Sequence, residues 1–349
     1  MSTQKISNKF RGWAAIAKSE PLQQMEFEVP ELSADEVEIA VDYCGLCHSD
    51  LSMIDNEWGV SRYPFVPGHE AVGRVVGLGA NVRALQIGQQ VGVGWHSGSC
   101  MSCGTCLEGS QHLCSKVQPT IIGHQGGFAD RLRAHWAWAV PLPKGIDPSL
   151  AGPLFCGGLT VFTPLLEFDV KPTHRVGVVG IGGLGHLALR FLRAWGCEVV
   201  AITSTASKQE EALQLGAHRV VVSSDTTAMA TLACSLDMVL VTASASLNWD
   251  ALIASLRANG RMHVVGMPLD AIPVRAMSLI RLQRSISGSP TGSPTTLATM
   301  LEFCARHSIA PQVEHFPMSN INTALQHLRE GKARYRVVLC NNDLRGGNH

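Results

Sequence analysis

Hydrophobic and polar positions follow two different patterns along the chain. In the first part, short apolar or alternating runs such as 37–43, 71–79 and 90–95 stand between Gly and Pro residues. Runs of this kind predict β-strands joined by irregular loops. We therefore expect residues 1 to about 150 to form an antiparallel, β-rich domain.

Beyond residue 152 the pattern changes to strand-like runs that alternate with helical stretches. The run 174–180 precedes a helical stretch at 183–195, and the run 197–203 precedes one at 207–215. Three more strand-like runs follow, HRVVVSS, LDMVLVTA and GRMHVVGM. This alternation predicts βαβ units and a parallel sheet, ending near the Gly-, Ser- and Pro-rich segment SGSPTGSP.

The rest of the chain predicts two helices, around 294–307 and 320–330, and a strand at 335–340. The pattern alone leaves open whether this tail extends the parallel sheet or returns to the first domain.

Composition narrows the class of protein. A chain of 349 residues favours two domains, and 46% hydrophobic with 16% charged residues is typical of a globular protein. Lys+Arg and Asp+Glu are both 28, so there is no basic field to attract nucleic acid or a membrane surface. We see neither a signal peptide nor an apolar run long enough to span a bilayer. We expect a soluble, cytoplasmic protein without nucleic-acid or membrane partners.

Four of the eleven cysteines share one short segment, CMSCGTCLEGSQHLC, with the spacing C-x2-C-x2-C-x7-C. Four thiolates this close can surround one Zn²⁺ tetrahedrally and leave no open position, so the segment predicts a structural zinc site formed by Cys100, Cys103, Cys106 and Cys114. The spacing differs from that of iron–sulfur proteins. Four other cysteines are expected to be small buried hydrophobes: Cys197, Cys234, Cys304 and Cys340.

A glycine-rich loop joins a predicted strand to a predicted helix and reads Gly180, Ile181, Gly182, Gly183, Leu184, Gly185. The G-x-G-x-x-G pattern in this setting is typical of a dinucleotide site, where the pyrophosphate lies at the helix N-terminus. The alternative is a tight turn in a domain without cofactor.

The strand after this loop has no acidic residue between Val199 and Lys208. An acid there would bind a free ribose 2′-hydroxyl, whereas Ser204, Thr205 and Lys208 suit a 2′-phosphate. The segment therefore favours NADP(H), with an ordinary helix N-cap as the alternative.

The segment DYCGLCHSD contains C-x-x-C-H, the spacing of covalent haem attachment, of a redox dithiol, or of half a zinc site. Cys47, His69 and Cys156, from separate segments, offer three ligands for a catalytic zinc with one open position. Spacing alone does not decide among these readings.

The order GHE before an apolar strand, the four-cysteine segment and GIGGLG resembles the zinc-dependent medium-chain alcohol dehydrogenases. The segments YCGLCHSDLSMIDNEW, PLFCGGLTVF and STASKQEEA are similar to the cinnamyl-alcohol-dehydrogenase-like branch, especially its bacterial NADPH-dependent aldehyde reductases. The resemblance covers nearly the whole chain. It implies an α/β fold: a GroES-like catalytic domain of residues 1–153 and 293–349, and a Rossmann domain of residues 154–292. It also implies a homodimer formed through the edges of the cofactor-domain sheets.

The resemblance implies a role for each matching residue. Cys47, His69 and Cys156 would hold the catalytic zinc with Glu70 behind it, and the four clustered cysteines the structural zinc. Ser49 would pass the proton and Asp50 would orient the histidine ligand. The cofactor would be bound by the residues of the glycine loop and by His48, Ser49, Ser204, Thr205, Lys208, Thr242 and Gly266.

The implied reaction is reversible hydride transfer from NADPH to an aldehyde, giving a primary alcohol. Met53, Trp58 and Trp95 are candidates for an apolar substrate wall that suits aliphatic or aromatic aldehydes, and each could equally be core packing. Cys44 is expected to be a buried thiol rather than a ligand.

One departure concerns the proton path: many relatives have a histidine where this chain has Ser52, which has no comparable basicity. Three other functions remain open at this point: a zinc-free quinone or enoyl reductase, a non-enzymatic redox- or metal-sensing protein, and a c-type haem protein.

Overall fold

The structure is a computed structural model and describes residues 9–28, 30–268 and 270–341. Within these ranges the strands are β1 (Lys9–Ala14), β2 (Gln23–Glu28), β3 (Glu36–Leu46), β4 (Ala71–Leu78), β5 (Gln90–Val93), β6 (His96–Gly98), β7 (Gln118–Pro119), β8 (Arg131–His135), β9 (Val140–Pro141), β10 (Arg175–Val179), β11 (Glu198–Thr203), β12 (Arg219–Val222), β13 (Leu236–Val241), β14 (Leu256–Val264), β15 (Ser285–Gly288), β16 (Val313–Pro317) and β17 (Arg336–Cys340).

The α-helices of the same residues are α1 (His48–Ile54), α2 (Gly104–Leu107), α3 (Pro148–Ala151), α4 (Gly157–Glu167), α5 (Gly185–Trp195), α6 (Gln209–Gln214), α7 (Thr226–Ala230), α8 (Trp249–Ser255), α9 (Ala276–Ile280), α10 (Pro294–His307) and α11 (Ile321–Arg329). Short 3₁₀ turns, such as Gly152–Phe155 and Ala206–Lys208, lie between them.

The chain divides into two compact units. The first runs to Cys156 and resumes at Ser293, and the second is Gly157–Gly292. The boundaries expected from the sequence lie after residue 153 and after residue 292.

The first unit is built around a seven-stranded sheet in the order β16-β17-β3-β4-β5-β9, with β8 also paired to β3. The pairs are antiparallel except β16 with β17. Strand β17 pairs with β3, and Val338 lies opposite Gly45. The tail therefore returns to the first domain, which the hydrophobic pattern alone had left open.

Strand β3 lies at the centre of this unit because its side chains are apolar on the covered face. Val37, Ile39 and Val41 are buried, and Cys44 near the strand's end is fully buried as expected. Glu38 is also buried, and the guanidinium groups of Arg131 and Arg133 on the neighbouring strand β8 pair with its carboxylate. A buried carboxylate needs such partners because desolvation of an unpaired charge is costly.

The second unit is a six-stranded, fully parallel sheet in the order β12-β11-β10-β13-β14-β15. Numbered within this unit, the order is 3-2-1-4-5-6, the Rossmann arrangement, so the predicted doubly wound fold is confirmed. Helix α5 follows the first strand and ends at Gly196, whose φ of 103° is the left-handed conformation that favours glycine.

Among the cysteines expected to be buried, Cys197 and Cys304 are, but Cys234 is exposed and Cys340 is only half-buried. The prediction for Cys234 was wrong because this residue is in the turn between α7 and β13, with a φ of 52°, and not in the strand.

No single helix among the described residues is both long and apolar enough to cross a membrane. Two consecutive segments, Pro148–Phe155 and Gly157–Glu167, reach the required length and apolarity only when taken together.

Candidate active site

The first candidate site begins where β3 ends and helix α1 starts. Cys47 is the residue before α1, and its backbone N–H donates to Oδ2 of Asp50 at 3.0 Å. The other oxygen of Asp50 accepts the Gly68 N–H at 2.9 Å and lies 2.9 Å from Nδ1 of His69. One fully buried carboxylate thus fixes both the Cys47 backbone and the His69 ring.

Cys47, His69, Glu70 and Cys156 form a buried cluster in which the potential ligand atoms all lie within 4.8 Å of one another. With Nδ1 of His69 engaged by Asp50, its Nε2 faces the cluster and lies 3.3 Å from Sγ of Cys156. A carboxylate behind a histidine in this way fixes the tautomer that a metal needs. Residues separated by up to 109 positions are brought together, as the sequence predicts for a metal site.

The ionisable side chains of the cluster shift one another's pKa values. A hydrogen bond with the Cys156 thiol lowers the pKa of Cys47 well below its ordinary value. Burial opposes charge on the His69 ring, but Asp50 and Cys47 together outweigh it and raise the pKa of His69 well above the usual range. The pocket therefore favours a thiolate at Cys47, the form in which a cysteine binds metal.

Glu70, a member of the same cluster, also contacts a residue that the sequence reasoning missed. Its carboxylate forms a buried ion pair with Arg336 of β17. Burial raises the pKa of Glu70, and the Arg336 charge opposes that rise. The other carboxylate oxygen, Oε2, has no hydrogen-bond partner. A lone arginine in the apolar run YRVVLC was the available signal, because such a charge needs a buried partner.

Gly45 explains why this arrangement requires a glycine on β3. A Cβ at this position would lie 1.9 Å from Oε2 of Glu70. The glycine thus provides the space for the Glu70 carboxylate beside the cluster.

Aromatic side chains lie next to the histidine. The Trp95 ring meets the His69 ring edge-on at 4.9 Å between centroids, and Trp58 meets Trp95 at 5.9 Å. Both tryptophans are partly buried, whereas Met53 is 1% exposed and packs in the core of the unit. Of the three substrate-wall candidates, the structure brings only the tryptophans toward the cluster.

Helix α1 presents further polar groups. His48 is exposed, Ser49 is half-buried, and the hydroxyl of Ser52 donates to Glu57 at 2.6 Å. The contact between Ser52 and Glu57 was not foreseen from the sequence.

The four clustered cysteines converge in a second candidate metal site. The sulfur–sulfur distances are 3.8 Å for Cys100–Cys106, 3.8 Å for Cys103–Cys114 and 3.5 Å for Cys100–Cys114. Backbone N–H groups of Ser102 and Cys103 lower the pKa of Cys100 to about 6. The loop is thus arranged to stabilise thiolates.

In the second unit the three glycines of the fingerprint have three different surroundings. Gly180 has a φ of 87° at the end of β10, where the chain turns. A Cβ on Gly185 would lie 1.9 Å from the Gly180 carbonyl oxygen, whereas one on Gly182 would meet open space. The loop is therefore tightly packed on one side and open on the side of Gly182. Ile181 and Leu184 complete the turn, and Leu184 precedes α5.

The next turn carries the residues expected at a 2′-phosphate. Lys208 donates from Nζ to the Ile181 carbonyl at 2.9 Å, so the cation lies beside the glycine loop. Ser204 and Thr205 are exposed in the same turn. At the end of β13, the Thr242 hydroxyl lies 2.7 Å from the Gly180 carbonyl, and a Cβ on Gly266 would collide with the Ala243 carbonyl at 2.3 Å.

Comparison with known proteins places these features in a family. Residues 33–144 match the alcohol dehydrogenase GroES-like domain, and residues 183–306 match the zinc-binding dehydrogenase family. The chain is 52% identical over 329 residues to an aldehyde reductase of Synechocystis sp., covering 94% of this chain and 98% of that protein. It is 39% identical over 337 residues to a probable cinnamyl alcohol dehydrogenase of Oryza sativa subsp. japonica, covering 94% of each chain.

Solved structures give the same result. A cinnamyl alcohol dehydrogenase from Sorghum bicolor matches with a TM-score of 0.92 at 35% identity, covering 97% of this chain and 99% of that one. The structure of CAD from Helicobacter pylori complexed with NADP(H) matches with a TM-score of 0.87 at 28% identity, covering 97% and 99%. The chain belongs to the zinc-binding alcohol dehydrogenase family, in the branch that contains the cinnamyl alcohol dehydrogenases and aldehyde reductases.

Proposed function

We propose that this protein is a zinc-dependent, NADP(H)-dependent aldehyde reductase that converts aldehydes reversibly into primary alcohols. The observation that carries the proposal is the buried cluster of Cys47, His69 and Cys156, in which Asp50 holds the histidine by Nδ1. A zinc-free reductase on this fold would have no use for such a cluster. The aldehyde reductase and cinnamyl alcohol dehydrogenase relatives support the same reaction class.

The cluster fits a catalytic zinc by its chemistry. Two cysteines and one histidine are ligands that zinc prefers, and three protein ligands leave a fourth position open. Glu70 is paired with Arg336 and therefore does not need to fill that position. We propose Cys47, His69 and Cys156 as the ligands, with Glu70 behind the metal.

The cysteine loop fits a structural zinc by its dimensions. Four sulfurs at about 2.3 Å from one tetrahedral ion are about 3.8 Å apart. The observed sulfur–sulfur separations of 3.5–3.8 Å agree with that geometry. We propose Cys100, Cys103, Cys106 and Cys114 as a closed site that stabilises its loop and takes no part in the reaction.

The second unit fits NADP(H). The open space at Gly182 and the start of α5 suit a pyrophosphate, and Thr242 and Gly266 end neighbouring strands at the same edge of the sheet. We assign the 2′-phosphate to Lys208, Ser204 and Thr205. The turn has no acidic residue that would repel the phosphate. We assign His48 and Ser49 to the cofactor as well, as the family resemblance implies.

Zinc and NADPH would supply one part of the chemistry, and the protein's own residues supply the rest. When bound, zinc supplies a Lewis acid toward the aldehyde oxygen and NADPH supplies a hydride. Asp50 keeps the His69 ring in one orientation, and Arg336 keeps Glu70 in place. The Ser49 hydroxyl donates a proton to the substrate oxygen as it becomes the alcohol and is reprotonated from its surroundings.

The aromatic surroundings favour apolar substrates. Trp95 and Trp58 present ring edges and faces beside the cluster, which suits aliphatic and aromatic aldehydes. Met53, being buried in the core, is left out of this wall.

We also propose a homodimer and a cytoplasmic location. Strand β15 (Ser285–Gly288) is an edge strand of the parallel sheet, where a second copy could add its own edge.

The cysteines support the proposed location. Eleven free cysteines, seven of them in the two candidate zinc sites, suit a reducing compartment.

The decisive experiment combines metal content with activity. We expect two zinc ions per chain and NADPH oxidation with a panel of aldehydes. Cys47→Ala should retain one zinc and bind NADPH but lose turnover, whereas Cys44→Ser should retain both ions because Cys44 lies outside both clusters. One zinc and no aldehyde reduction in the unmodified protein would refute the proposal in favour of a sensor or a zinc-free reductase.

A further inference from the structure

The glycine loop of the second unit separates its backbone donors from its backbone acceptors. The N–H groups of residues 181–185 have no hydrogen-bond partner in the part of the chain that the structure describes. The carbonyl groups of residues 180–182, in contrast, each lie within hydrogen-bond distance of a polar side chain. The loop therefore offers a row of free N–H donors, an arrangement that binds anions.

The three side chains come from three different elements. Thr242, at the end of β13, and Lys208, in the turn after β11, contact the first two of these carbonyls at 2.7 and 2.9 Å. The third side chain is His186 in the first turn of α5, whose Nδ1 lies 3.1 Å from the Gly182 carbonyl oxygen. Thr242 and Lys208 were expected from the sequence to contact the cofactor, but His186 was not.

The ring of His186 is fully buried, and its contact with Gly182 has a defined direction. A carbonyl oxygen can only accept a hydrogen bond, so Nδ1 carries the hydrogen in this contact. The same carbonyl also accepts the His186 backbone N–H at 3.0 Å, a hydrogen bond at the start of α5. One residue thus supplies two donors to the Gly182 carbonyl and fixes its direction.

The direction of this carbonyl determines the direction of the next N–H group. The peptide bond between Gly182 and Gly183 is trans, so its carbonyl and N–H groups point in opposite directions. Because the Gly182 carbonyl points along α5 toward His186, the Gly183 N–H points away from the helix, beyond its N-terminus. The pyrophosphate of a dinucleotide lies at this end of the helix in a Rossmann domain.

We propose that His186 is a positioning residue for the cofactor pyrophosphate, acting through the Gly182 carbonyl on the N–H groups of the loop. This inference rests on the proposed NADP(H) binding and deepens it. The His186 side chain is too deeply buried for the cofactor to touch, yet part of the affinity for NADPH depends on it. The same holds for NADH, because both cofactors contain the pyrophosphate.

The test compares two variants of His186 that have nearly the same shape. In His186→Asn the side-chain amide nitrogen can take the place of Nδ1 as donor, whereas His186→Leu has no donor there. Both variants lose the same outer part of the ring, so the space that they leave is matched. We expect His186→Leu to bind NADPH and NADH about three- to tenfold more weakly, the usual effect of one neutral hydrogen bond. His186→Asn should retain the affinity of the unmodified protein, as measured by fluorescence titration.

A cofactor fragment separates positioning from general damage to the unit. The nucleotide 2′-AMP has the 2′-phosphate but no pyrophosphate, so its affinity, measured by calorimetry, should be the same in both variants and in the unmodified protein. The KM for NADPH should rise in His186→Leu while kcat at saturating NADPH stays the same. Lys208→Ala should show the reverse pattern, with weaker binding of 2′-AMP and NADPH but not of NADH.

Three results would overturn the role of His186. They are unchanged NADPH affinity in His186→Leu, an equal loss in His186→Asn, and a loss for 2′-AMP as large as that for NADPH. If His186→Leu does not fold, His186→Gln decides by the same three ligands, because its longer side chain fills more of the ring's space and places its amide beyond the position of Nδ1. Failure of the unmodified protein to bind NADPH would instead refute the proposed cofactor.

Discussion

The carboxylate of Asp50 and the imidazole of His69 lie 2.9 Å apart, and both side chains are fully buried. The same carboxylate accepts the backbone N–H groups of Cys47 and Gly68. One side chain thus connects the start of α1, the loop before β4 and the histidine ring.

Asp50→Asn should therefore weaken the proposed catalytic zinc site without emptying the other one. An amide keeps the shape but loses the charge that orients the ring, so we expect zinc affinity or activity to fall about 10- to 100-fold. Titration with a chelator, monitored by metal analysis, should show one ion lost early and one retained. Equal retention of both ions would contradict the role assigned to Asp50.

Substitution by alanine should have different effects at two glycines of the cofactor loop. Gly182→Ala places its methyl group in open space, so the protein should fold normally but bind NADPH more weakly, by about tenfold. Gly185→Ala places a methyl group 1.9 Å from the Gly180 carbonyl oxygen, so the second unit should lose stability. Thermal unfolding and NADPH fluorescence titration distinguish the two. Similar melting curves for both variants would show that the loop is not packed as described.

Lys208→Ala should change the choice of cofactor. Removal of the cation takes a charged hydrogen bond from a 2′-phosphate, which is worth about 1.5–3 kcal/mol, or roughly tenfold or more in affinity. Affinity for NADH, which has no 2′-phosphate, should hardly change. Lys171→Ala is the matched control, because Lys171 lies in the same unit and pairs with Asp169 at the surface. Equal losses for both cofactors would mean that Lys208 serves the loop and not the phosphate.

The buried His263 should make the stability of the second unit depend on pH. Its buried ring contacts the hydroxyls of Ser287 at 2.9 Å and Ser289 at 3.0 Å, and burial, helped by Arg261, lowers its pKa to about 4. Because the unfolded chain takes up a proton at higher pH than the folded one, stability is complete above about pH 6.5 and falls toward pH 4.

The full effect is roughly 3 kcal/mol at most, from a shift of about 2.5 pH units. His263→Gln should therefore lose less thermal stability between pH 7.5 and pH 5 than the unmodified protein. His307→Gln, at an exposed position on α10, is the control. The same pH dependence in the His263 variant would contradict this account.

The sequence predicted the architecture well because the evidence for it is local. Alternating strands and helices after residue 152 sufficed for the parallel sheet, and the four-cysteine spacing for the second metal cluster. The pairing of β17 with β3 is non-local, and it became an expectation only through the family resemblance. Arg336 and the contact of Ser52 with Glu57 were missed, since both depend on side-chain directions that spacing does not encode.

For Cys234 the sequence predicted a property that the structure does not have. Its apolar neighbours predicted burial, but a backbone turn with positive φ places the residue at the surface. Hydropathy describes the average of a segment, whereas exposure depends on the turn at one residue.

The ion pair between Glu70 and Arg336 joins residues that are 266 positions apart. During synthesis, the ribosome completes the entire parallel-sheet unit after Glu70 has emerged and before Arg336 does. A nascent chain that already carries Cys47, His69 and Cys156 therefore has the potential metal ligands but lacks Arg336, which balances the charge of Glu70. We expect correct metal loading only after β17 has been synthesised, because a prematurely terminated chain would leave the Glu70 carboxylate without its cation.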